Sequence, residues 1–168
     1  MNKQQQLASH DPIRSKSGKE KIQTKNNGLI FRDFIFEKEA NMNKFQPIAG
    51  SFAVIQCKGK YLLCYNKWRE QWEIPAGSRE GTETPLQCAK RELYEETGQK
   101  VTDMDFIGLL KTEKIMNKEI KYNPVYFSNI DELMPFRDND EISKIMLWDL
   151  ETDIGAIDEV DIRIFDYI

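Results

Sequence analysis

The sequence predicts an α/β fold, a mixed sheet with at least two helices in one domain. Three observations predict it. Short β-prone runs recur from Leu29 to Trp148, one helix among them is capped at both ends, and the last residues place apolar side chains at helical spacing. The length of 168 residues suits a single domain, since domains commonly run about 100–200 residues. A chain of that size buries roughly 70% of its unfolded surface, enough for a core without disulfides.

Residues 29–38 mix apolar and charged positions, as an outer strand does. Phe45 to Cys57 reads as a longer strand, and Lys58-Gly59 then separates it from the apolar run Tyr61 to Tyr65. A two-residue loop ending in glycine between such runs predicts a tight hairpin. Trp72 to Pro75 is a further short extended piece. The helix follows. Thr84 with Gln87 forms a capping box, Pro85 suits the first helical position, and Gly98 stands where a terminating glycine belongs. Leu86, Ala89 and Leu93 give it a buried stripe. Two β-prone runs, 104–113 and 119–128, precede a third from Ile142 to Trp148. Ile157, Val160, Ile164, Phe165 and Ile168 then predict a second helix, with Asp158 and Glu159 near its positive end. There is no internal repeat, and residues 29–168 are expected to form the one domain.

Composition narrows the chemistry. With 40% apolar and 31% charged residues the chain resembles an ordinary soluble protein. No apolar stretch nears the ~20 residues of a membrane span, and the start lacks the apolar segment of a secretory signal. Cys57, Cys64 and Cys88 are odd in number and lack metal spacing, which predicts reduced thiols and a cytoplasmic location. His10, in the polar N-terminal segment, is the only histidine, which argues against a zinc centre or a serine–histidine–acid triad. Carboxylates must do the work. The net charge of −4 also divides: residues 1–28 carry +4 and the rest −8. That basic segment, rich in Gln, Ser, Lys and Asn, has the composition of a disordered, solvated tail, with nucleic-acid contact the alternative.

Between Gly77 and Gly98 the sequence reads GSREGTETPLQCAKRELYEETG. Helical spacing places Glu92 beside both Glu95 and Glu96 on one face, where close like charges oppose one another by roughly 0.2–0.5 kcal/mol per exposed pair. Arg91, four residues before Glu95, supplies one positive charge. A divalent cation would supply more, and oxygen ligands select Mg²⁺, Mn²⁺ or Ca²⁺. Glutamates on a helix are more often a solvated face. Their frame argues otherwise. Gly77, Glu83, Arg91, Glu92, Leu93, Glu95, Glu96 and Gly98 satisfy G-x5-E-x7-R-E-U-x-E-E-x-G, with U apolar. A chance match is on the order of 10⁻⁶ or rarer in a chain this long.

This stretch resembles the Nudix box, the signature of hydrolases that cleave a nucleoside diphosphate linked to another group. The lead-in Trp72-Glu73-Ile74-Pro75-Ala76 is similar to the family as well, and the strand order extends the likeness over residues 45–168. One departure is Gln99, where the family usually has an aliphatic residue that packs. The resemblance implies a Nudix-type α/β/α sandwich with a mixed sheet, the box forming a loop–helix–loop. It implies Mg²⁺ or Mn²⁺ bound by Glu92, Glu95 and Glu96 with a backbone carbonyl at Ala76 or Gly77. Arg91 would orient the carboxylates, with Glu83 assisting nearby at the substrate. An extra acid is expected before the strand that carries Trp148: Glu141 first, Asp140 second, a polar turn being the alternative.

Lys67 and Arg69 precede Trp72 and could hold terminal phosphates, Arg69 through a bidentate fork. Trp68 could stack a base or simply pack. Pro75-Ala76-Gly77 is similar to members acting on ADP-ribose, but Ile115 stands where those members often have proline, and no coenzyme A signature is present. The expected substrate is therefore a small nucleotide, with no membrane partner and with the oligomeric state open, a homodimer included. RNA 5′-end hydrolysis and a non-catalytic nucleotide sensor are the alternatives.

Overall fold

The computed structural model describes residues 28–168, so the expected basic tail lies outside the described residues except for Gly28. Eight strands form one mixed sheet: β1 (Leu29–Ile35), β2 (Ser51–Cys57), β3 (Lys60–Asn66), β4 (Gln71–Glu73), β5 (Ala76–Gly77), β6 (Asp105–Lys114), β7 (Ile120–Ile130) and β8 (Ile142–Trp148). The main path runs β1-β6-β7-β2-β3-β4, with β5 on β2 and β8 on β3. β2 and β7 are parallel, and the other strand pairs are antiparallel. The hairpin at Lys58-Gly59 forms as expected: both residues have positive φ (52° and 77°), as a type I′ turn requires.

Side-chain alternation divides the core in two. Val54, Leu63, Leu110 and Val125 face one side, where Val160 and Ile164 of the C-terminal segment cover them. Ala53, Ile55, Leu62, Leu109 and Tyr126 face the other, against Ala89 and Leu93 of α1 (Pro85–Thr97). Residues adjacent in sequence thus belong to opposite cores, the signature of strands buried on both faces. α1 starts and ends where the sequence predicts. Thr84 Oγ1 accepts from Gln87 N, Gln87 Oε1 accepts from Thr84 N, and Gly98 closes the helix at φ 80°.

Two elements differ from expectation. The strand anticipated from Phe45 begins only at Ser51, because Pro47 has no N–H to donate and Ile48 makes just an isolated bridge to Tyr122. The second α-helix is absent among the described residues: Asp161–Asp166 is a 3-10 helix, as is Glu39–Lys44. The reason lies in the aspartates. Asp158 Oδ1 accepts from Val160 N and Asp161 N, and Asp161 Oδ2 accepts from Ile74 N at 2.8 Å. Drawing Asp161 inward favours the tighter spacing that lines up Asp161, Ile164 and Tyr167. The sandwich therefore has one helical layer, with a 3-10 segment on the opposite face. Among the described residues no helix is long and apolar enough to cross a membrane.

Asp161 is 7% exposed, and burial together with Asp158, Glu73 and Glu96 holds its carboxyl well above the usual carboxylate range. A carboxyl that binds its proton more tightly when folded stabilises the fold below its unfolded pKa. That stability is lost as pH rises through the folded value. Asp161→Asn, which keeps an oxygen for Ile74 N, should flatten that loss and raise stability above the carboxylate range. Urea unfolding of both proteins across a pH series checks it; parallel profiles would refute the assignment.

Candidate active site

The box folds as a strap and a helix. β5 crosses the N-terminal end of β2 by pairing Gly77 with Ser51 and Ala76 with Phe52, then a loop leads to α1. Two glycines allow the close approach. A Cβ on Gly50 would lie 2.2 Å from the Gly77 carbonyl oxygen, and one on Gly77 would lie 2.2 Å from Glu92 Cδ. The Gly77 carbonyl also accepts from the Cys88 thiol at 3.2 Å.

Arg91 organises the helix face. Its guanidinium donates to Glu83 at 2.6 and 3.1 Å, to Glu92 at 2.7 Å, to Glu95 at 2.9 Å and to the Ser78 carbonyl at 2.8 Å. These hydrogen bonds, the one with Glu83 foremost, hold the guanidinium more firmly protonated than usual and hold the Glu83 carboxyl below its ordinary range. Glu83, expected at the substrate, directs both oxygens to Arg91, and Glu83 Oε2 also accepts from Glu80 N.

Glu96 points the other way, under the strap, where its carboxylate accepts from Ala76 N at 3.1 Å and the Cys64 thiol lies 3.9 Å away. Burial, then the charge of Glu92, pushes its carboxyl well above the usual range. Burial raises Glu92 as well, against the pull of Arg91. Glu141 adds its field to both, so the acid loop and the helix converge there. Glu95 is exposed and has Arg91 as its partner. Among the described residues no three acidic or thiol side chains meet at one ion-sized point, since Arg91 gathers Glu92 and Glu95 while Glu96 turns to Ala76. The donor set nevertheless fits a hard divalent cation: carboxylate oxygens, a nearby carbonyl, and two carboxyls whose charge burial leaves under-compensated.

The loop residues occupy the rim. Arg69 Nη1 donates to both oxygens of Glu73, Lys67 Nζ donates to the Asn139 carbonyl, and Trp68 is 69% exposed, which leaves its ring free of the core. Asp140 is exposed, whereas Glu141 is half-buried and accepts from Asn66 at 2.8 Å. A cavity of about 330 Å³ opens beside the strap at Ala76, Gly77 and Ser78. Phe52 and Ile74 give it apolar walls, and Asn123 and Asp158 give it polar ones.

Sequence reasoning missed Gly50, Asn66, Asn123 and Asn139, none of which sits in a motif. Gln99, the departure within the box, is 1% exposed and fully engaged: it donates to the Thr97 and Met134 carbonyls and accepts from Met134 N. The amide ties the end of α1 to the loop between β7 and β8, where an aliphatic side chain would only pack.

Residues 44–164 match the NUDIX domain family. The Bacillus subtilis protein YtkD, provisionally named an 8-oxo-dGTP diphosphatase, is 33% identical over 95 residues, covering 52% of this chain and 56% of the relative. Phosphatase NudJ of Escherichia coli K12 is 34% identical over 67 residues, covering 39% of this chain and 44% of the relative. The alignments thus span about half the length of these relatives. Among solved structures, a MutT NUDIX hydrolase from Burkholderia pseudomallei superposes with a TM-score of 0.64 at 20% identity, covering 73% of this chain and 98% of that one. The Bacillus subtilis pyrophosphohydrolase BsRppH gives 0.58 at 22%, covering 73% of each chain. At such identities the likeness speaks for the fold. The family match itself takes in the strap, the box helix and the acid loop together, and the chain belongs to the NUDIX family.

Proposed function

We propose that the protein hydrolyses a phosphoanhydride bond in a small nucleotide, using Mg²⁺ or Mn²⁺ held by Glu92, Glu95, Glu96 and the carbonyl of Ala76 or Gly77. One observation carries the reading: the half-buried carboxylates of Glu92 and Glu96 lie against Gly77 and Ala76, strap residues that also line a cavity of about 330 Å³. A bound divalent cation supplies charge neutralisation at phosphate oxygens and acidifies a coordinated water. The chain does the positioning. Arg91 fixes the orientation of Glu92 and Glu95, and Glu96 is set by the Ala76 N–H. Glu141, an acid from outside the helix whose field reaches both Glu92 and Glu96, accepts the proton of the attacking water. Lys67 and Arg69 meet the terminal phosphates, and Trp68 offers its exposed ring to a base. Glu83 acts through Arg91.

Three buried free thiols suit a reducing compartment, and we place the protein in the cytoplasm. The name of the YtkD relative puts nucleoside triphosphates, oxidised and ordinary, first among substrates to try. Phosphate release, with coupled pyrophosphatase, over a panel of nucleotides and a short triphosphorylated RNA tests the reading. Turnover should vanish in EDTA and return with Mg²⁺ or Mn²⁺. Full activity in metal-free buffer would sink it.

A further inference from the structure

Glu141 is held at every polar group it has. Asn66 Nδ2 donates to its carboxylate at 2.8 Å, Asn139 Oδ1 accepts from its N–H at 3.1 Å, and its carbonyl accepts from Lys67 N at 3.0 Å. Asn66 is fully buried and has no hydrogen-bonding capacity left over. Its second amide hydrogen goes to Glu73 at 3.1 Å, and its Oδ1 accepts from Trp68 N and Arg69 N at 3.0 and 3.1 Å. Those partners fix the amide's orientation, since a flipped group would set its oxygen against two carboxylates and its hydrogens against two N–H donors.

Asn139 works from the other side. Its Oδ1 also accepts from Ile142 N at 2.8 Å, while its Nδ2 lies 3.3 Å from the carbonyls of both Glu95 and Glu96 and 3.2 Å from that of Arg137. The carbonyls of Glu95 and Glu96 lie in the last turn of α1, where no intrahelical partner remains for them. One side chain therefore ties the acid loop to the very residues whose carboxylates lie on the box helix.

We infer that Asn66 and Asn139 are positioning residues for Glu141, together fixing its carboxylate relative to Glu92 and Glu96. The inference rests on the hydrolase reading for its effect on turnover, but not for its effect on the loop. Neither asparagine touches the reacting atoms; both act through Glu141.

The decisive variant is Asn139→Ala, because Asn139 is only half-buried and its loss leaves both cores intact. In the full chain with Mg²⁺ and a nucleotide that the wild type cleaves, kcat should fall about tenfold with KM nearly unchanged, as misplacement of a reacting group does. In a Glu141→Gln background the same substitution should cost nothing further, because residues acting through one group are non-additive. Amide hydrogen exchange gives a readout without turnover: Glu141 and Ile142 should exchange faster in Asn139→Ala while the strands keep their protection. Losses that multiply across the two backgrounds would show a merely structural role and overturn the inference. Unchanged exchange at Glu141 and Ile142 would overturn it directly. Full turnover by Glu141→Gln alone would remove Glu141 from the reaction and overturn the inference while the hydrolase reading stands; a wild type that cleaves no nucleotide would instead be a failure of the hydrolase reading.

Discussion

Glu96→Gln should lower turnover by ~100-fold or more while the protein melts no earlier than the wild type. Glutamine keeps an oxygen for the Ala76 N–H and leaves helix propensity nearly unchanged. What it removes is a charge that the fold opposes. Burial and Glu92 raise the Glu96 carboxyl, so in metal-free protein its contribution to stability is fully present below the unfolded pKa and is lost as pH rises through the folded one. The variant should escape that loss. Added Mg²⁺ should stabilise the wild type, by up to about 2.7 kcal/mol at a hundredfold excess over Kd, and the variant less. Glu95→Gln separates the alternatives further. On a plain surface helix, loss of an exposed charge would change neither stability nor turnover; in a metal site turnover collapses at unchanged stability. Melting curves with and without Mg²⁺, beside kcat on a substrate confirmed for the wild type, decide it. Comparable turnover by all three proteins would mean that the box glutamates have another job.

The parts legible in the sequence are those set by local spacing. Thr84, Pro85 and Gln87 mark the start of α1 and Gly98 its end, each by its own local chemistry, and the strands show their alternation directly. The β-prone runs at 104–113, 119–128 and 142–148 accordingly lie within a residue or two of β6, β7 and β8. The C-terminal segment was less legible because Ile157, Val160 and Ile164 fit helical spacing, while its tighter winding depends on Asp161 meeting Ile74 N, a contact distant in the chain. The site divides the same way. Arg91 and the box glutamates lie within one helix, so their mutual reach follows from periodicity. Asn66 and Asn139 have ordinary turn chemistry in the sequence, and only the sheet, by pairing β3 with β8, brings Asn66 alongside Glu141. Gly50 has no motif at all; its importance is visible only once β5 lies across it.

Gly50→Ala is the second substitution expected to have a large effect. The new Cβ would stand 2.2 Å from the oxygen and 2.7 Å from the carbon of the Gly77 carbonyl, and 3.1 Å from Ser78 N. All three are backbone atoms of the strap, so no side-chain rotation relieves the clash. Either β5 moves off β2 or the start of β2 shifts, at a cost of ~1–3 kcal/mol or more for an overpacked position. The same movement displaces the carbonyl assigned to the cation, so turnover should fall at least ~100-fold. Gly77→Ala provides the contrast. Its Cβ would meet Glu92 Cδ and Oε1 at 2.2 Å, and these are the far end of a flexible side chain. Glu92 can swing away, which should spare most of the stability while removing it from Arg91 and from the site. The pair thus separates backbone from side chain: Gly50→Ala should lose both melting temperature and kcat, Gly77→Ala chiefly kcat. Calorimetry and steady-state kinetics on the two variants check this. A Gly50→Ala protein that melts and turns over like the wild type would show that the strap tolerates a displacement the geometry forbids.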